Sequence, residues 1–356
     1  MIKIPWVDNK QFDNDEVNKL LQIPLSLNQL TNYGPLVREL ELYFTEKLEL
    51  DNDKTVIVVN NGALGMNALA SGINMFYKRK LKYATQAFTF PCSAQGILSD
   101  SIIVDIDDEL SLDLTTLSSD NEDIDGIIVT NLFGNVCNIN KYCEWADKND
   151  KILLFDNATV PFTSYNNKNA NNYGHGSIIS LHHTKPIGFG EGGLIVVDKK
   201  YEKYVRKCIN FGFSVKNGVV GWDRLGMNCK MSEISAAYIL SYIQNNKEIL
   251  IKHYNKIYEV FVDKIKNIKG VRIFPNFGDV PFISSFTVIF DDIEITNDHI
   301  NQFELNNITA KKYYTPLENL PNSTKLFKHI LCLPCHLSVS EDTLNRYILI
   351  IKDILE

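Results

Sequence analysis

The chain has no surplus of positive charge, no long apolar run and no regular cysteine pattern. Lysine and arginine number 36 against 43 aspartates and glutamates, a formal net charge of −7. That balance argues against nucleic acid or an anionic membrane as the main partner, while local basic residues can still hold an anionic ligand. No apolar stretch approaches the roughly 18 residues that span a bilayer. The opening MIKIPWVDNKQFDND turns polar and acidic too soon for a signal peptide. Seven cysteines, an odd number at irregular spacing, read as reduced thiols in a cytoplasmic protein rather than as a disulfide framework. Repeats and low-complexity tracts are missing too. What remains is 356 residues, 45% apolar and 22% charged, ordinary for a soluble globular protein and enough for one large and one small domain.

From about residue 55 to residue 200, short apolar runs alternate with helix-like stretches. TVIVV, SIIVDID, GIIVTNLFG, KILLFD, SIISL and GLIVV are mostly continuous and β-branched, the pattern of strands covered on both faces. Segments between them, such as ALGMNALASGINMF and NINKYCEWADKND, have the apolar spacing of crossover helices. This alternation predicts an α/β fold with a mostly parallel central sheet flanked by helices. PLVRELELYFTEKLEL, with Pro35 after Gly34, reads as an amphipathic helix. After Ser232 a long helical pattern leads into a smaller C-terminal α+β unit containing strand-like GVRIF and SSFTVIF and helical EDTLNRYILIIKDIL. The expected division is a large domain over 1–240 and a small one over 241–356.

Lys185 is the residue on which the chemistry turns. It sits in SIISLHHTKPIGFGEGGLIVV between two apolar runs, in a turn holding Gly188, Gly190, Gly192 and Gly193. A lysine held there is desolvated, which disfavours the ammonium form and frees a nucleophilic amine of the Schiff-base type. The plain alternative is a surface turn lysine, as most lysines are. Flanking Ser180, His182 and His183, and glycines that let backbone approach closely, weigh against it. KILLFDNATVP ends a strand on Asp156, at the carboxyl end where α/β proteins bind ligands. A carboxylate there can meet a protonated ring nitrogen, although a turn or capping aspartate is the ordinary reading. VIVVNNGALGMNAL is a strand, a turn on Asn61 and Gly62, and a helix whose free amides and dipole suit a phosphate. Phe90 in QAFTFPCSAQG can stack on a flat ring, for about 1 kcal/mol beyond its burial, or be simple core. An amine and an acid at the ends of neighbouring strands suggest pyridoxal phosphate chemistry.

Two motifs resist a functional reading. CLPCH, from Cys332 to His336, matches a haem-attachment pattern but reads as packing with a turn at Pro334. His182 and His183 point to opposite faces of a strand and do not chelate a metal together, so no metal site is expected. NNGALG is not the glycine fingerprint an NAD-binding oxidoreductase needs.

Taken in order, these segments resemble the DegT/DnrJ/EryC1/StrS-type nucleotide-sugar aminotransferases over nearly the whole chain. TNYGPLVRELE resembles the family's opening signature, NNGALGMNAL its phosphate turn and QAFTFPCSAQGI its ring-stacking segment. SIIVDID followed by ELSLD is similar to the strand after it; LLFDNA and SLHHTKPIGFGEGG are similar to its pyridinium-aspartate and Schiff-base-lysine segments. GMNCKMSEISAAY resembles a segment reaching the neighbouring subunit's cofactor, while KKYYTPL and LCLPCHLSVSED resemble the small domain's substrate loop and closing strand. The resemblance implies the type I fold of pyridoxal-phosphate-dependent transferases and pyridoxal 5′-phosphate as cofactor. It implies that Lys185 carries the Schiff base, Asp156 meets the pyridinium and Phe90 covers the ring. Ser180 and the amides of Gly62 and Ala63 hold the phosphate, with Thr159 beside the ring's O3′ edge. Asn228 arrives from a partner subunit, so that the active unit is at least a homodimer with shared sites. His183, Lys230 and Tyr314 are assigned to the nucleotide-sugar. The family usually has Thr at Ala63, Gln or His at Thr159 and often His at Asn131. Its dehydratase branch has His in place of the lysine, and Lys185 favours amination.

The implied reaction moves an amino group from L-glutamate, released as 2-oxoglutarate, to a nucleotide-linked 4-keto-6-deoxy-hexose, with dTDP or UDP as the favoured nucleotide. Amination at C3 of a 3-keto sugar, and a non-catalytic sensor retaining the fold, stay open. So does the question of whether Trp222 or Arg224 reaches a neighbour's site.

Overall fold

The computed structural model describes residues 3–117 and 123–356. Helix α1 (Asn14–Ser26) starts on Asp13, whose carboxylate accepts from the Asp15 and Glu16 amides, satisfying donors left free in a first turn. Helix α2 (Pro35–Lys47) opens with proline at its first position and buries Leu36, Val37, Leu40 and Phe44. Its first amides are served from far along the chain, by Glu233 through Leu36 N at 2.7 Å and Val37 N at 3.3 Å.

The expected strands appear as β1 (Lys54–Val59), β3 (Ile102–Val104), β4 (Gly126–Thr130) and β5 (Ile152–Asp156), joined by β2 (Tyr83–Gln86), which is not among the apolar runs, with helices α3 (Gly62–Tyr77) and α4 (Ile139–Asn149) between them. A small hairpin of β6 (Ser164–Tyr165) and β7 (Lys168–Asn169) precedes β8 (Gly176–Ser180) and β9 (Gly193–Asp198), and α5 (Lys199–Ile209) follows. The seven-stranded sheet has the order β1-β9-β8-β5-β4-β2-β3. All neighbours run parallel except β9, which is antiparallel to both β1 and β8. Both faces are covered: Val56 and Val58 enter one core, Ile57 and Val59 another, each buried side chain worth roughly 1.5–3 kcal/mol.

Hairpin β10 (Ser214–Lys216) and β11 (Val219–Gly221) then leads into the 33-residue α6 (Glu233–Ile265). A three-stranded antiparallel sheet of β12 (Val271–Ile273), β13 (Phe286–Phe290) and β14 (Ile330–Leu333) packs with α7 (Asn297–Leu305), α8 (Pro321–His329) and α9 (Glu341–Leu355). This is the smaller α+β unit. The 240/241 boundary falls inside α6, and one apolar cluster runs from Phe44 through Leu194 and Tyr254 to Phe286 and Tyr347. Cys332 and Cys335 are buried and free, and His336 Nε2 lies 2.8 Å from the Pro5 carbonyl. Among the described residues no helix is long and apolar enough to cross a membrane.

Candidate active site

Strands β4, β5 and β8 end side by side on Thr130, Asp156 and Ser180, facing the N-terminus of α3. They border a cavity of about 460 Å³, which Lys185, Phe90 and Tyr314 also line. Asn61 caps α3, its side chain accepting from Leu64 N at 2.8 Å, and leaves Gly62 and Ala63 at the cavity wall. Gly193 makes that turn possible, since a Cβ there would stand 2.6 Å from the Asn61 carbonyl carbon. Because β9 turns back antiparallel on β8, with Ser180 opposite Gly193, the segment between them folds as a turn that delivers Lys185 to the cavity.

Asp156 is 1% exposed. It accepts from Ala158 N at 3.1 Å, Cys92 Sγ at 3.3 Å and Ser93 Oγ at 3.5 Å, all neutral donors. Burial pushes its carboxyl above the ordinary range, against the hydrogen bonds from Ala158 and Cys92 and the charge of Lys185. Burial also lowers the Lys185 amine, against the attraction of Asp156. Each group therefore favours the charged form of the other, but burial outweighs that attraction, and the cavity holds an amine lowered by burial facing an acid without a cationic hydrogen-bond partner.

This arrangement fits pyridoxal phosphate. A buried carboxylate served by neutral donors is completed by a protonated ring nitrogen. The free amides at the start of α3, with Ser180 beside them, suit a phosphate dianion. Phe90 is 54% exposed at the cavity, an apolar ring open for covering, with Tyr314 edge-on at 6.2 Å. Tyr314 itself stacks on Phe133 at 5.6 Å.

Some expected residues stand elsewhere. Thr159 lines the cavity, but its hydroxyl accepts from Gly134 N at 2.8 Å and donates to the Asn131 carbonyl at 3.4 Å. Asn131 likewise spends its amide on Asn157 and Cys137. His183 does not border the cavity; its ring lies against Phe189 at 5.4 Å. His182 takes that place, with Thr184 and Glu191 as partners. The physical reason is alternation: successive residues past β8 point to opposite sides. Asn228 and Lys230 also lie outside the cavity within this chain. Asn228 is exposed and bridges to Asn210, and Lys230 donates to Asn210 Oδ1 at 3.0 Å and sits 4.3 Å over the Phe211 ring. They stand near a hairpin whose Val215, Val219 and Val220, with Trp222 beyond it, are exposed. Cys92, Thr130, Leu132, Phe133, Ala158, Ile178, Thr184 and Glu191 also line the cavity without having been singled out in the sequence, and His182 was noted there only as a flank of Lys185.

A family model described as the DegT/DnrJ/EryC1/StrS aminotransferase family matches residues 10–352. Relatives include the dTDP-4-amino-4,6-dideoxy-D-glucose transaminase of Shigella dysenteriae, 24% identical over 363 residues that cover 96% of each chain. GDP-perosamine synthase of Vibrio cholerae is 22% identical over 314 residues, 85% of this chain and 81% of that one. Among solved structures, DesI in the presence of its TDP-sugar product superposes with a TM-score of 0.85 at 20% identity, covering 99% of this chain and 93% of that one. At that identity the superposition speaks for the fold.

Proposed function

The chain belongs to the DegT/DnrJ/EryC1/StrS aminotransferase family, and from that premise we propose that it moves the amino group of L-glutamate to C4 of a dTDP-linked 4-keto-6-deoxy-hexose. It is a sugar aminotransferase with the type I fold of pyridoxal-phosphate enzymes, and pyridoxal 5′-phosphate is its cofactor. The observation that carries the reading is the facing of Lys185 and Asp156 across one cavity walled by the start of α3. When bound, the cofactor carries the amino group between donor and acceptor and spreads the electron pair left when a C–H bond breaks.

The protein's own residues do the rest. The amides of Gly62 and Ala63 and the Ser180 hydroxyl hold the phosphate at the positive end of the α3 dipole. Asp156, kept dry, pairs with the ring nitrogen and keeps it protonated. Phe90 covers one face of the ring and excludes water there. Lys185 Nζ, lowered by burial, takes the proton from Cα of the amino donor and later delivers one to the sugar carbon that receives nitrogen. Tyr314 and His182 border the space left for the sugar.

The Shigella relative is named for a dTDP-linked 4-amino-4,6-dideoxy sugar and matches over 96% of both chains, which supports C4 and dTDP over C3 and other nucleotides. Asn228 and Lys230 do not line this chain's cavity, and in this proposal they serve the site of a second copy, with the exposed β10–β11 hairpin at the contact. The test is incubation with glutamate and a panel of dTDP-, UDP- and GDP-linked 4-keto and 3-keto sugars, with products read by mass spectrometry and NMR. Nitrogen on C4 of the dTDP-linked sugar is expected. Nitrogen on C3, or loss of water without nitrogen gain, overturns the proposal.

A further inference from the structure

Lys10 lies in the irregular segment before α1, more than 170 residues from the active-site turn, yet its side chain ends inside that turn. Its Nζ donates to the carbonyls of His183 at 2.8 Å and Lys185 at 2.6 Å, and to that of Gly188. Three carbonyl oxygens converging on one point repel one another unless a cation sits among them. The turn is tight for its own reasons: Lys185 N donates to the His182 carbonyl, Gly188 N to the Lys185 carbonyl, and a Cβ on Gly188 would stand 2.2 Å from the His182 oxygen. The carbonyls therefore have little freedom to turn toward water.

The rest of the segment is fixed from outside. Phe12 packs on Phe189 at 4.2 Å and on Tyr242 at 5.4 Å, and Lys10 Nζ stands 5.2 Å over the Tyr242 ring. Asp8, His183 and Tyr242 are titratable neighbours, and Lys185, Tyr254, Cys335 and His336 line the same small cavity as Lys10. Burial lowers the Lys10 amine to about 7, with Asp8 opposing. The three acceptors match the three N–H groups of the protonated form, whereas a neutral amine has two and turns a lone pair on the third oxygen.

We propose that Lys10 is a positioning residue for Lys185: its ammonium fixes the carbonyls of the turn and so sets where the Lys185 amine stands in the cavity. The proposal rests on Lys185 being the cofactor-bearing lysine. It concerns only how that lysine is held, since Lys10 does not line the active-site cavity.

The test compares wild type with Lys10→Met, similar in length but without donors or charge, and Lys10→Gln, with two donors and no charge. Amide hydrogen exchange of residues 181–190 is measured against β1 as an internal reference. The midpoint pH of the cofactor's visible band is measured with it, and kcat and KM for glutamate follow. Expected in Lys10→Met are exchange about tenfold faster in the turn alone, a moved midpoint pH, and kcat reduced by about tenfold or more with KM little changed. Lys10→Gln should fall between, and it carries the test if Lys10→Met does not fold. Turn exchange and midpoint pH both at wild-type values in a folded variant overturn the proposal. A wild-type protein that binds no cofactor at Lys185 overturns the aminotransferase reading instead, while the exchange result still judges the clamp.

Discussion

Replacing Asp156 by Asn separates chemistry from folding. The carboxylate is 1% exposed and its partners are the Ala158 amide, the Cys92 thiol and the Ser93 hydroxyl. An asparagine of the same shape keeps the bond from Ala158 through its oxygen, and its NH₂ meets a thiol and a hydroxyl that can both accept. The fold therefore changes by about 1 kcal/mol or less, the ordinary scale of one altered hydrogen bond. The loss falls on the cofactor. A carboxylate and a pyridinium about 4 Å apart interact by roughly 4 kcal/mol at an effective dielectric near 20, and the amide supplies no charge. If that pairing is needed chiefly as the electron pair spreads into the ring, kcat/KM drops about a thousandfold. The assay is kcat/KM with glutamate and the keto-sugar, beside thermal unfolding of both proteins. A variant within about threefold of wild type refutes the role given to Asp156, and one that unfolds shows that the carboxylate is structural.

Phe90→Ala removes the exposed ring at the cavity and should weaken cofactor binding by about 1 kcal/mol, near fivefold in Kd by titration of apoprotein. Unchanged Kd places Phe90 off the ring. Gly193→Ala puts a Cβ 2.6 Å from the Asn61 carbonyl carbon and should lower cofactor affinity more than it lowers the melting temperature; the reverse ranking contradicts the phosphate turn. In the apoprotein Asp156 is raised by burial, so the folded state holds its proton to higher pH than the unfolded chain does. Its contribution is then fully present below the ordinary carboxylate range and lost as pH rises through the folded value. Apo Asp156→Asn should accordingly gain on apo wild type between mildly acid and neutral pH, so that the melting temperature of the variant minus that of wild type rises with pH; a signed difference that stays flat or falls argues against a raised Asp156.

Much of the fold was legible because strands buried on both faces must be continuous and apolar, as in TVIVV and KILLFD, and because caps and turns used expected chemistry. The reversed direction of β9 is invisible in GLIVV itself, since an apolar run carries no polarity. The twelve residues from Leu181 to Gly192, glycine-rich and without a helix pattern, held the clue, because a parallel return needs a crossover. The β10–β11 hairpin was also signalled and missed: Asn217 and Gly218 both adopt positive φ, the dipeptide turn that matches strand twist. Alternation said that His182 and His183 face apart but not which one meets the cavity, a matter of where β8 stops. Lys10 had no signal at all. One lysine in an irregular polar segment looks solvated until the turn it fills is seen.

The central proposal is that Lys185 alone, among the chain's 30 lysines, binds pyridoxal phosphate covalently. Borohydride reduction of the holoprotein followed by peptide mapping addresses it directly, with Lys185→Ala as the control. The expected result is one phosphopyridoxyl tag, on the peptide spanning Lys185, absent from the variant along with turnover. A tag on another lysine, or a Lys185→Ala protein that still transaminates at the wild-type rate, contradicts the account.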